Sequence, residues 1–249
     1  MRYAIYFAAD ADDALMRLGN AWLGRDPFAA TDPDMSALTG LNATRFRELT
    51  ADPRRYGFHG TLKAPFHLKP GMDEADLITA CRKFASDLAP FRIEALNVNR
   101  LGKFLALTPD RPQPDLSAFA ALCVRQFEPY RAPLSEADLE RRRKSGLTPK
   151  QDAYLTDWGY PYVFDEMRFH MTLSNKLDSE HEAAELEEAA KSHFAAVTGK
   201  ERACSSFALY QEPERGAPFD VHTVFQLTGT TPVGSAGTRP TRPTDRENA

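Results

Sequence analysis

The sequence predicts an α+β protein of two pseudo-symmetric lobes, each a β-sheet packed by helices, flanking a central cleft. Three observations carry this expectation. Phe58-His59-Gly60-Thr61-Leu62 returns as Phe169-His170-Met171-Thr172-Leu173, 111 positions later, with only the middle residue changed. Strand side chains alternate faces, so in each copy His and Thr share one face while Phe and Leu share the other. Each copy is also followed by the same succession, a helical pattern and then a hairpin pattern. The duplicated unit is therefore lobe-sized, about 56–108 and about 167–228, and not a short solenoid repeat.

The elements follow in order. Residues 2–8, rich in Tyr, Ile and Phe, alternate as a strand. Asp10 to Arg25 reads as a helix with Ala14, Leu15, Leu18, Trp22 and Leu23 on one stripe and carboxylates at its start. Residues 26–55 are rich in Pro, Asp and Thr, with a short helix near Asn42 to Leu49. The first motif strand spans about Tyr56 to Lys63, and Pro65 ends its regular pairing or bends the chain. Asp73 caps a helix running to Leu88. Residues 91–99 and 103–108 form a hairpin, and Ser117 to Phe127 a further helix.

Residues 129–165 break the pattern as a polar helical insert containing the run Arg141-Arg142-Arg143-Lys144. Ser135 with Asp138, and Thr148-Pro149-Lys150-Gln151, read as helix starts. After the second motif strand come a helix from Asp178 to Phe194 and a hairpin over 203–210 and 219–227. The folded domain is expected to span 1–228. Residues 229–249, mostly Thr, Pro, Arg and Gly, are expected to form a disordered tail.

Composition narrows the function. With 42% hydrophobic and 27% charged residues the 249-residue chain is ordinary for a globular protein. A net charge of −4 argues against a broad nucleic-acid surface. Cys81, Cys123 and Cys204 are too scattered for a disulfide framework or a metal knuckle, which suits reduced, buried thiols in a cytoplasmic setting. The opening apolar run is too short for a signal peptide or a membrane span. No Gly-rich phosphate loop and no GxSxG elbow is present.

Paired His-x-Thr strands, each opening a strand–helix–hairpin unit, resemble the 2H phosphoesterase superfamily. Arg2-Tyr3-Ala4-Ile5-Tyr6-Phe7-Ala8, Tyr56 to Phe66 and Arg168 to Leu173 resemble its branch associated with bacterial phosphonate metabolism. The resemblance covers residues 1–228. It implies a metal-independent phosphodiesterase acting on a cyclic phosphate, without a cofactor. Membership of the phosphonate branch implies a small cyclic ribose phosphate opened to a phosphomonoester.

The chemistry of the residues is consistent with that implication. Opening a phosphodiester requires a base for the attacking water, an acid for the leaving alkoxide and donors for the non-bridging oxygens. His59 and His170 can supply the first two if one is neutral and one protonated, a split that an imidazole reaches near neutral pH. Thr61 and Thr172 lie on the same faces and can donate to the phosphate. Which histidine is the acid is not set by the sequence. Lys63 continues the His59 and Thr61 face by alternation and is a candidate for holding phosphate, against the alternative of a solvated strand end. Tyr6 and Tyr160 are candidate substrate contacts, against the alternative of core packing.

Other residues read as structural. His67 is separated from the motif by Pro65, and His181 and His193 sit on a polar helix that reads as solvated. The Arg141 to Lys144 run reads as a solvated helix face, with a lid role kept open for an arginine reaching an anionic substrate. No further His, Cys or carboxylate pattern completes a metal site around the two histidines. The expected partner is a small-molecule cyclic phosphate, with no long nucleic acid and no membrane. Two rival classes are an enzyme acting on RNA 2′,3′-cyclic phosphate ends and a non-catalytic module that binds a phosphorylated ligand.

Overall fold

The computed structural model describes residues 1–29, 32–33 and 42–235. It is α+β, as the sequence predicts, and its centre is an antiparallel sheet of seven strands. These are β1 (Arg2–Phe7), β2 (Gly60–Phe66), β4 (Asn97–Leu101), β5 (Phe104–Thr108), β6 (Met171–Thr172), β8 (Ser206–Glu212) and β9 (Asp220–Gln226). They lie in the order β4-β5-β6-β2-β1-β8-β9, while β3 (Phe91–Ile93) and β7 (Arg202–Cys204) pair separately. The two motif strands, β2 and β6, meet at the middle of the large sheet, where Gly60 is opposite Met171.

Each motif strand and its following helix stay together, but the hairpins are exchanged. β4–β5, which follows the first motif, pairs with β6 of the second. β8–β9, which follows the second motif, pairs with β1, the neighbour of β2. Helix α4 (Glu74–Asp87) accordingly packs on β9, and α8 (Glu180–Phe194) on β4 and β5. Each half of the sheet thus contains a motif strand from one copy and a hairpin from the other. Neither sequence repeat folds as a self-contained lobe.

The helices start where side chains cap them. The Asp13 carboxylate accepts from Leu15 N–H at the start of α1 (Ala14–Leu23), and Asp73 with Asp76 forms a reciprocal capping box on α4. In the insert, Ser135 caps α6 (Glu136–Arg143), and Thr148 with Gln151 boxes α7 (Pro149–Trp158). One helix is not foreseen from the sequence. A one-and-a-half-turn helix, α3 (Ala51–Tyr56), follows α2 (Ala43–Leu49) and takes up the expected start of the first motif strand. The strand proper begins only at Gly60, after the left-handed Gly57 closes α3.

Apolar side chains of both motifs enter one core: Phe58, Leu62, Phe169 and Leu173 are all buried. The Phe169 ring lies where a Cβ on Gly60 would sit, with its nearest atom at 2.5 Å. This explains the one difference between the motifs, since the seam has room for Met171 but no side chain at position 60. Gly60→Ala is expected to destabilise the fold by about 1–3 kcal/mol through overpacking, read as a shift in the urea midpoint. An unchanged midpoint would remove this account of the glycine.

Residues 229–235 correct the expected tail. Thr228 and Gly229 donate backbone N–H groups to Ala85 and Leu88, at 3.0 and 2.9 Å, and Ala89 donates to Thr231 O at 2.9 Å. These bonds satisfy carbonyls at the end of α4, and Val233 is buried beside them. The rest of the expected tail, 236–249, lies outside the described residues. His193 is also corrected: it is half-buried, hydrogen-bonded to Leu18 O at 2.9 Å and 5.5 Å from the Trp22 ring. Among the described residues, no helix is long and apolar enough to cross a membrane.

Candidate active site

The site is built at the β2–β6 seam. Gly60 and Met171 pair there, and each motif's His and Thr flank that pair, His59 and Thr61 on one strand's side and His170 and Thr172 on the other's. The two motifs are near enough for His170 to act electrostatically on His59. A cavity of about 540 Å³ opens beside it, lined by Thr61 from one motif and His170 from the other.

Both imidazoles are oriented in the same way. His59 Nδ1 lies 2.9 Å from Gly57 O, and His170 Nδ1 lies 2.7 Å from Arg168 O. A carbonyl only accepts, so each Nδ1 carries hydrogen and each Nε2 is left to the reaction. His59 Nε2 is 3.3 Å from the Thr61 hydroxyl, which donates to it.

The environments of the two rings differ. His59 stacks on Tyr6, with centroids 3.8 Å apart and planes 21° apart, and Tyr56 and Tyr210 lie within about 6 Å. Burial lowers the His59 pKa to about 4; the Gly57 carbonyl opposes this, and the proximity of His170 adds to it. His59 is therefore neutral at pH 7, its Nε2 lone pair met by the Thr61 hydroxyl. His170 lies toward the cavity, its ring 5.8 Å from Phe104.

Lys63 does not reach the cleft. Between Tyr6–Thr61 and Ile5–Lys63 the register slips, giving β2 one extra residue at Leu62. This bulge breaks the alternation on which the sequence expectation for Lys63 relies. Its ammonium is 3% exposed, donating to Glu128 at 2.8 Å and to Val124 O at 3.1 Å. Glu128 also binds Arg131, whose guanidinium donates to Asp157 O in α7. Lys63 thus belongs to a buried network tying the motif strand to the insert.

Tyr6 is opposite Thr61 and only 1% exposed, so it supports the His59 ring from beneath. Tyr160 lines the cavity, with Tyr162 edge-on at 5.6 Å. The sequence reading passed over Phe104, Phe164 and Arg168, which also line the cavity. Phe164 holds a φ of 55°, uncommon outside glycine, at the cavity wall. Arg168 is two residues before His170, so the parity used for Thr172 could have found it. Among the described residues, no three His, Cys, Asp or Glu cluster as metal ligands.

The fold is α+β, with the two His-x-Thr motifs meeting at the centre of one antiparallel sheet. The chain belongs to the family described as "Protein of unknown function (DUF1045)", whose profile matches residues 61–220. It is 39% identical over 223 residues to the "Ribose 1,5-bisphosphate phosphokinase PhnN" of Janthinobacterium sp. (strain Marseille), covering 88% of this chain and 49% of that protein. It is 34% identical over 219 residues to the protein of the same name from Laribacter hongkongensis (strain HLHK9), covering 88% of this chain and 50% of that protein. The chain thus spans about half the length of the curated relatives it matches. Among solved structures it is similar to TT0787 of Thermus thermophilus, with 13% identity, a TM-score of 0.44, and coverage of 93% of this chain and 100% of that one. It is also similar to E. coli LigT complexed with NADP+, with 14% identity, a TM-score of 0.43, and coverage of 91% and 97%.

Proposed function

We propose that the protein is a phosphodiesterase that opens a small cyclic phosphate by acid–base catalysis without a metal. His59 takes the proton from the attacking water, and His170 gives one to the leaving alkoxide. Thr61 and Thr172 donate to the non-bridging oxygens between them. The observation that supports the reading is the seam itself, where two imidazoles, each with Nδ1 beside a backbone carbonyl, flank the Gly60–Met171 pair next to a cavity lined by Thr61 and His170. The order of roles follows from the lowered pKa of His59, since a base must be deprotonated at working pH.

The proposed substrate is a cyclic ribose phosphate of phosphonate catabolism, hydrolysed to a phosphomonoester. The named relatives support a phosphorylated ribose, since their printed name is that of a ribose 1,5-bisphosphate phosphokinase. Their kinase activity is not extended to this chain, whose sequence contains no Walker-type phosphate loop.

One observation favours a second reading, an enzyme of 2′,3′-cyclic nucleotide ends. The cavity wall carries Phe104, Tyr160, Tyr162 and Phe164, surfaces on which a base can stack. The readings separate when chelator-treated protein is incubated with 5-phosphoribosyl 1,2-cyclic phosphate, 2′,3′-cyclic nucleotides and a cyclic-ended RNA, each followed by phosphorus NMR. The expected result is opening of the sugar cyclic phosphate at a rate unaffected by chelation. Turnover confined to RNA favours the second reading, and activity lost on chelation and restored by metal ends the metal-free mechanism.

A further inference from the structure

The insert run Arg141-Arg142-Arg143-Lys144 does not behave as a uniform solvated face. Arg141 pairs with Asp138 at 2.6 Å, and Arg143 pairs with Asp152 at 2.6 Å. Arg215, from the β8–β9 loop, also holds Asp138 at 2.5 Å, so α6 is fixed on two sides. Successive helix residues point about 100° apart, which turns Arg142 away from both of its paired neighbours. Its guanidinium lies 5.2 Å from the Tyr160 ring at the cavity wall. Its Nε is buried with no hydrogen-bond partner, and among the described residues no carboxylate pairs with it.

The surroundings add positive charge. Arg2 and Arg55 share the single buried carboxylate of Glu212. Arg2 and Tyr56 are close enough to act electrostatically on Arg142, and Tyr56 is 6.0 Å from the His59 ring. Three guanidiniums therefore stand against one carboxylate beside the motif cluster. A half-buried cation without a partner is unfavourable unless an anion reaches it. Nothing in the described chain supplies that anion, and the direction of the Arg142 pKa, lowered chiefly by burial, is consistent with the missing charge.

We propose that Arg142 is the anchor of a second anion subsite, which holds a phosphomonoester on the far end of the sugar whose cyclic phosphate sits between His59 and His170. This deepens the function proposed above and rests on it. It gives Arg142 the second-phosphate role that alternation assigned to Lys63. Guanidinium presents two parallel donors to a phosphate, and Tyr160 beneath it fixes the plane of the fork. The substrate class is then a cyclic phosphodiester that also bears a phosphomonoester, discriminated from its unphosphorylated analogue at this residue.

The test compares 5-phosphoribosyl 1,2-cyclic phosphate with ribose 1,2-cyclic phosphate in the parent, Arg142→Ala, Arg142→Lys and Arg143→Ala proteins. The parent is expected to prefer the phosphorylated ring by about 10–100-fold in kcat/KM, the range of a charged hydrogen-bonded contact. Arg142→Ala should remove that preference mainly through a raised KM for the phosphorylated ring. Arg142→Lys should recover part of it, and Arg143→Ala should retain it. A preference that survives Arg142→Ala, or an equal loss on both rings, overturns the subsite.

Calorimetric binding of ribose 5-phosphate keeps the two proposals apart. If the parent opens neither ring but binds ribose 5-phosphate at least tenfold more tightly than Arg142→Ala does, the diesterase reading fails and the subsite stands. If both proteins bind it equally, the subsite fails whatever the enzyme turns over.

Discussion

Replacing either motif histidine with asparagine is expected to slow opening of a cyclic phosphate by about 10²–10⁴-fold, the usual contribution of one positioned acid or base. The loss should appear in kcat, since neither ring is needed to retain the ground-state phosphate. The fold should survive, because both rings sit at the cleft edge of the seam while Phe58, Leu62, Phe169 and Leu173 beneath them stay in place. The double variant should lose little more than the worse single one, as groups acting on one phosphorus work as a unit. Initial rates by phosphorus NMR, with near-UV circular dichroism to confirm folding, check each statement. Two single variants within tenfold of the parent would remove the acid–base pair.

His59→Asn should also change stability with pH, in a direction its pKa fixes. Burial holds the folded His59 pKa near 4, below the ordinary value of 6.5. The group therefore contributes fully above about pH 6.5, and that contribution is lost as pH falls toward 4. His59→Asn removes this loss, so its stability should fall less than the parent's over the same interval.

Glu128→Ala is expected to destabilise the protein by about 3–5 kcal/mol, the largest single-residue effect expected on stability. Glu128 is 13% exposed and is the carboxylate partner of Lys63, itself 3% exposed beneath α5 (Pro114–Gln126). Removing it leaves a buried ammonium with only the Val124 carbonyl and frees Arg131 from its ion pair. Burial already lowers the Lys63 pKa despite Glu128, so without Glu128 the ammonium is far less favourable. Lys63→Met with Glu128→Leu should recover most of the loss, because an apolar pair leaves no buried charge behind. Chemical denaturation of the parent, Lys63→Met, Glu128→Leu and the double variant closes the cycle, and equal destabilisation in the single and double variants would contradict the ion-pair account.

The motif cluster was legible because its readout is local. His and Thr at i and i+2 share a face wherever a strand holds its alternation, and β2 and β6 hold it across the motif. Lys63 was misplaced because the bulge at Leu62 comes from pairing with β1, and pairing partners are not encoded in a two-residue period. The hairpin exchange was hidden for the same reason: helix and hairpin patterns give element types, whereas strand order depends on long-range packing. Caps at Asp73 and Thr148 were readable, since each bonds within its own first turn. Arg142 was not separable from Arg141 and Arg143, because what distinguishes them is the position of Asp138 and Asp152. The proposed division of labour between the histidines likewise depends on Tyr6, more than 50 residues away in sequence, stacking beneath His59.

The most direct test of the central claim, that His59 is the neutral base of a two-histidine site, is the pH dependence of kcat/KM on a cyclic phosphodiester without other titrating groups. This parameter reports the free enzyme's essential groups. The account predicts an acid limb of unit slope with its midpoint near pH 4, set by His59, which is absent from the residual activity of His59→Asn. A limb centred near pH 6.5, or one that persists unchanged in His59→Asn, would contradict it.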